Sequence, residues 1–242
     1  MSSANAGGPR PAGSPLGGPQ GGAANNTEPQ QRRTSATPSL GEGAGGQAVQ
    51  FRADFDLIAS WVQPGERVLD LGCGDGSLLK RLIEERGAKG YGVELEDAEV
   101  LAAIANGINV IQGNLEQGLA GFDDQTFNHV VLSRTLQTVR HTERILNEML
   151  RVGREAVVSF PNFAYWKNRM AVMAGRMPVS EDLPYEWFDT PNLRFFTLLD
   201  FEALCTKMGL LIRERQVLDE AGRLVLEEPN FLGSLAVYRL GR

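Results

Sequence analysis

Three glycines within five positions carry the first chemical signal. In "RVLDLGCGDGSLLKRL", residues 67–82, they stand as Asp70-x-Gly72-x-Gly74-x-Gly76, between an apolar run and a helical pattern. A chain that turns sharply from strand to helix, with its backbone close against a ligand, needs residues without a Cβ there. Glu94 follows 18 residues after Gly76, at the end of the next strand-like run. A carboxylate at that place can accept both hydroxyl protons of a ribose. Asn114, in "GNLEQGL", follows the third such run, where a polar side chain can meet an adenine. Asp is the commoner residue at that position.

Three readings of the loop compete. Ser77 stands where the third glycine of a dinucleotide G-x-G-x-x-G would fall, which counts against a nicotinamide cofactor. A bare structural turn is the second reading. The third, favoured by the glycine pattern and the acidic partner together, is S-adenosylmethionine or S-adenosylhomocysteine. Its expected contacts are Asp70, Gly72, Cys73, Gly74, Gly76, Glu94 and Asn114. A P-loop is excluded, since no Lys-Ser/Thr closes the glycines. Cys73 reads as a small residue tolerated in a tight turn, and no cysteine or histidine spacing suggests a metal.

Methyl transfer from a sulfonium is downhill, so alignment of the acceptor carries most of the acceleration and acid/base groups are optional. Two residues stand as catalytic candidates. His141 follows the fourth strand-like run and could act as a base. Asn162 ends the fifth run, which would point it at the same crevice. Glu186 and Asp189 could meet a cationic substrate amine. His129 begins the fourth run, on the far side, and reads as structural.

The elements that must position these groups alternate from residue 51 onward. "FDLIASWV" has helical spacing, and "RVLDLG", "GYGVEL", "INVIQG", "HVVLS" and "EAVVSFPN" read as five strands separated by helices. Residues 161–196 form a long connection holding 8 of the 18 aromatics, the pattern of a lid, a docking surface or a small subdomain. Thr197 and Asp200 then predict a capping box opening a helix over "TLLDFEALCTKMG". "LLIRERQVL" and "FLGSLAVYRL" predict an antiparallel pair. The sum is a doubly wound, mostly parallel seven-stranded α/β sheet, with its ligand crevice at the carboxyl ends of the strands.

Composition bounds the remainder. Residues 1–50 contain no Phe, Tyr or Trp but 11 of the 28 glycines, and read as a disordered tail before one domain over 51–242. Arg32 and Arg33 are not followed by an apolar region, so export is not expected. With no apolar run of membrane length, the expected location is the cytoplasm. A net charge of −6 argues against nucleic acid as a partner.

One resemblance is far more specific than the glycine loop. "RVLDLGCGDGSLL", "GYGVELE", "INVIQGNLEQGL", "VVLSRTLQTV", "SFPNFAYWKNR", "GRMPV" and "LPYEWFDTPN" together resemble the MetW family of methionine biosynthesis, in order over about residues 51–220. The resemblance implies a Rossmann-like class I methyltransferase fold and an accessory partnership with the homoserine O-acyltransferase MetX. A methyltransferase acting on a small-molecule acceptor is the alternative. Asn114 and Arg134 depart from the Asp and Gln expected at their positions.

Overall fold

The computed structural model describes residues 52–242. The tail expected over residues 1–50 lies outside them. From Ala53 onward the chain alternates α1 (Ala53–Trp61), β1 (Arg67–Leu71), α2 (Ser77–Arg86), β2 (Lys89–Glu94), α3 (Asp97–Ala105) and β3 (Val110–Gln112). Next come β4 (Phe127–Ser133), α4 (Thr142–Val152), β5 (Gly153–Pro161), α5 (Trp166–Met173) and α6 (Leu198–Met208). The chain closes with β6 (Leu211–Leu218), α7 (Pro229–Leu232) and β7 (Leu235–Gly241).

Seven strands form one sheet in the order β3-β2-β1-β4-β5-β7-β6, with β1 to β5 parallel and β7 antiparallel to both its neighbours. The central strands bury both faces, as a sheet covered by helices on each side must. Leu69, Leu71, Val130, Val158 and Phe160 face the α4 and α6 side, while Val68, Val131 and Val157 face α1 and α2. This two-residue alternation leaves the strand ends as the place where side chains from several strands converge.

The capping box forms as the sequence predicts: Asp200 N–H donates to Thr197 Oγ1 at 3.2 Å and Thr197 N–H donates to Asp200 Oδ2 at 3.0 Å. Two local expectations change. The connection over 161–196 carries a helix, α5, on which Asn168 is buried; its Nδ2 donates to Asn162 O at 3.1 Å. The final strand begins only at Leu235, because Pro229 starts a single helical turn that consumes "PNFL".

Candidate functional site

The glycine loop leaves β1 between two anchors. Gly72 and Cys73 N–H groups both donate to Val93 O, at 2.7 and 3.2 Å, which ties the turn to the end of β2. Gly72, Gly74 and Gly76 all adopt positive φ, +67°, +54° and +76°. At Gly72 a Cβ would stand 2.9 Å from the side chain of Thr135, so conformation and space both demand glycine. Cys73 turns inward instead, its Sγ filling the space that a Cβ on Gly92 would need. Burial and the nearby Asp70 and Glu94 charges push its thiol up to about 12, so it stays protonated and inert.

Glu94 closes the loop from the opposite side. Its Oε2 accepts the Gly74 N–H at 2.9 Å, and its Oε1 accepts Leu95 N–H at 2.6 Å and Glu96 N–H at 3.1 Å. Three donors fix the carboxylate at the end of β2, with about one of its four lone-pair sites unused. Gly113 N–H donates to Glu94 O at 2.9 Å, which brings Asn114 to the same edge. Asn114 Oδ1 accepts Glu116 N–H at 2.9 Å and caps a 3-10 turn, leaving its Nδ2 as the group able to reach a ligand. Leu95 stands half exposed beside Glu94, an apolar surface of the kind a base can lie on, and only its place after the acid signals it in the sequence.

Asp70, next to last in β1, is only 2 % exposed. Burial, with Glu94 and Asp54 close by, pushes its carboxyl up to about 7, although the Arg52 charge opposes this. A cationic ligand group would hold it ionised. The structure thus brings Asp70, Gly72, Cys73, Gly74, Gly76, Glu94 and Asn114 together at the ends of three adjacent strands.

Beside them lies a cluster that no sequence motif announces. Arg52 grips the fully buried Asp54 with two bonds of 2.9 Å and also donates to Ser133 Oγ at 2.9 Å. Ser133 Oγ and Ser159 Oγ donate to Asp54 Oδ2 at 2.8 and 3.2 Å. Burial opposes the Asp54 charge, but Arg52 and Arg134 outweigh it and hold the carboxyl below its usual range. Arg134 has a positive φ of +50°, rare for a residue with a side chain. Its N–H donates to Ser159 O at 2.9 Å, and its guanidinium reaches Asp182 of the long connection at 3.2 Å.

The two catalytic candidates sit elsewhere. The His141 side chain is 66 % exposed at the start of α4 and lies 3.9 Å from Glu116. Asn162 is fully buried, and the crevice-facing role expected of it has no free group to act through. Its Nδ2 donates to Asn230 O and Gly233 O at 3.2 and 2.8 Å, and its Oδ1 accepts Ala164 N–H at 3.1 Å. Being at the end of a strand places the Cα correctly, but the antiparallel β7 corner claims the side chain. Among the described residues, no group of three His, Cys, Asp or Glu is placed to hold a metal ion.

Strand order, a glycine turn after β1 and an acid ending β2 define the fold of the class I S-adenosylmethionine-dependent methyltransferases. Solved methyltransferases share it: one from Archaeoglobus fulgidus with a TM-score of 0.60 at 14 % identity, covering 78 % of this chain and 92 % of that one. Another, from Mesorhizobium loti, has a TM-score of 0.59 at 18 % identity, covering 79 % and 98 %. Within that class the chain belongs to the family of methionine biosynthesis protein MetW, which matches residues 52–240. It is 36 % identical over 207 residues to the bifunctional methionine biosynthesis protein MetXA/MetW of Rhodopirellula baltica, spanning 80 % of this chain and a third (33 %) of that relative. The ubiquinone/menaquinone biosynthesis C-methyltransferase UbiE of Vibrio vulnificus is 28 % identical over 120 residues, 44 % of this chain and 45 % of that one. The chain is thus a MetW-family protein with a methyltransferase fold, and it spans about a third of the length of its Rhodopirellula relative.

Proposed function

We propose that the chain binds S-adenosylmethionine at the ends of β1, β2 and β3 and acts as an accessory partner of the homoserine O-acyltransferase MetX. Glu94 fixed opposite the glycine loop carries the cofactor half of this reading. Its carboxylate would take the ribose hydroxyls, with Oε2 shared between ligand and Gly74. Asn114 Nδ2 would donate to a ring nitrogen of adenine, and Leu95 would underlie the base. Asp70 offers a negative charge to a cationic cofactor, and the Gly72 backbone approaches with no Cβ in the way. S-adenosylhomocysteine fits the same contacts except those made to the sulfonium charge.

The partner half is supported by the Rhodopirellula relative, whose single chain carries both names. Two activities joined in one chain face each other at a high effective concentration, which suits components that work together.

Glu94→Ala, assayed two ways, tests both halves. Cofactor affinity should fall by about 1–3 kcal/mol, since charged acceptance of hydroxyl protons is lost. Adding the wild-type chain to the acyltransferase of the same organism should raise its activity. An acyltransferase that neither binds this chain nor responds to it would defeat the partner reading.

A further inference from the structure

A hollow of about 1130 Å³ opens between the first turns of α4 and α6 and residues 193–196, and no residue of the glycine loop lines it. Its floor is apolar, made by Leu136, Phe196, Phe201 and Leu204. Two further apolar side chains stand at its rim, Leu193 at 52 % and Phe195 at 44 % exposure. Exposed apolar surface gathered around a concave floor is the usual mark of a binding groove rather than of ordinary protein surface.

Three arginines and three carboxylates line this groove, and they differ in how they are engaged. Its carboxylates are engaged within the fold: Glu143 with Lys207 at 2.8 Å, Glu148 with Arg151 at 2.9 Å, and Asp200 in the capping box. Its guanidiniums are not so matched. Arg144 donates to Gln117 O at 3.1 Å and Arg194 to Arg140 O, both of them main-chain carbonyls. Among the described residues none of Arg140, Arg144 and Arg194 forms an ion pair with a carboxylate. Arg144 also lies close enough to Glu148 to favour its charge. That leaves Arg140 and Arg194 without a carboxylate partner beside the apolar floor, and on a chain whose net charge is −6 such a pair favours an acidic occupant.

We infer that this groove receives an acidic segment with apolar side chains from the homoserine O-acyltransferase, with Arg140 and Arg194 meeting its carboxylates and Leu193 and Phe195 its apolar tips. The inference rests on the partner reading above and adds its address on this chain. A small anionic metabolite suits the groove less well, because the half-exposed apolar rim offers area that only a larger surface can cover.

The test uses the full chain and the acyltransferase of the same organism, with affinity measured by calorimetry. Arg140→Glu with Arg194→Glu, and separately Leu193→Asp, should each weaken association at least about tenfold, and wild-type binding should weaken as salt is raised. Affinity for S-adenosylmethionine and the melting temperature should stay near wild type. Trp187→Ala with Phe188→Ala serves as the control on the same connection, at residues 71 % and 70 % exposed. Groove variants that bind as tightly as wild type overturn the inference while leaving the partnership standing, all the more if the control pair loses binding. Failure of the wild-type chain to bind defeats the partner reading and the groove with it.

Discussion

Gly74 and Glu94 are joined directly, the glycine N–H donating to the carboxylate Oε2 at 2.9 Å across the mouth of the crevice. The loop after β1 and the acid after β2 are therefore one unit, and a change in either alters the other. Glu94→Gln keeps the shape but leaves three backbone donors facing a single carbonyl oxygen and an amide that repels one of them. Cofactor affinity should drop about tenfold, with a lower melting temperature for the unligated protein. Titration calorimetry and thermal unfolding read the two effects, and a variant unchanged in both would contradict the linkage.

Gly72→Ala should destabilise the fold by about 1–3 kcal/mol, because a side chain must enter positive φ and also displace Thr135. Denaturant unfolding measures the loss. Gly121→Ala is the control: nothing within 4 Å would meet its Cβ, and its φ is not positive. Equal stability in the two variants would sink the account of the loop.

Asp70 predicts a pH dependence with a definite sign. Its carboxyl is raised from 3.8 to about 7 in the folded protein, so folding takes up a proton in that window. The unligated protein should lose stability as pH climbs from about 4 to about 7 and then level off, with on the order of 4 kcal/mol at most at stake. Asp70→Asn should flatten this slope. A ligand that brings a sulfonium or an ammonium to this site favours the ionised carboxylate, so affinity for S-adenosylmethionine should rise over the same range in wild type and not in the variant. Calorimetry at several pH values decides it; parallel profiles would remove Asp70 from the cofactor's reach.

Thr197→Ala removes one arm of the capping box and should cost about 1 kcal/mol. The same helix start borders the basic groove, so acyltransferase affinity should weaken as well if the first turn of α6 frays. Thermal unfolding and calorimetry check the two parts separately.

What the sequence made legible was whatever has a local period or a local chemical rule. The strands show because runs such as "HVVLS" are too short and too apolar to be anything else in an alternating chain. The capping box shows because Thr197 and Asp200 lie three residues apart, and the glycine loop because residues with a side chain rarely adopt positive φ at three positions so close together. Tertiary requirements stayed hidden. Asp54 gives no sign in "RADFDLIASW" that it will be buried under Arg52, since its partners Ser133 and Ser159 arrive 79 and 105 residues later. The sequence places Asn162 at the right strand end, but its bonds to Asn230 and Gly233 depend on the antiparallel corner. Helix α5 has no apolar stripe to signal it; its one buried residue is Asn168, and Lys167 and Arg169 tie it to Glu220 and Asn230.

The 3-10 turn over Leu136–Thr138 follows Thr135, which abuts Gly72, while Gln137 O accepts the N–H groups of Leu193 and Arg194 at 2.9 and 3.1 Å. One short segment of main chain thus touches both the glycine loop of the proposed cofactor site and the strip that rims the basic groove. Work done on that segment from either side is returned on the other: if an occupied groove shifts it, cofactor affinity changes by a factor that cofactor must in turn impose on the groove.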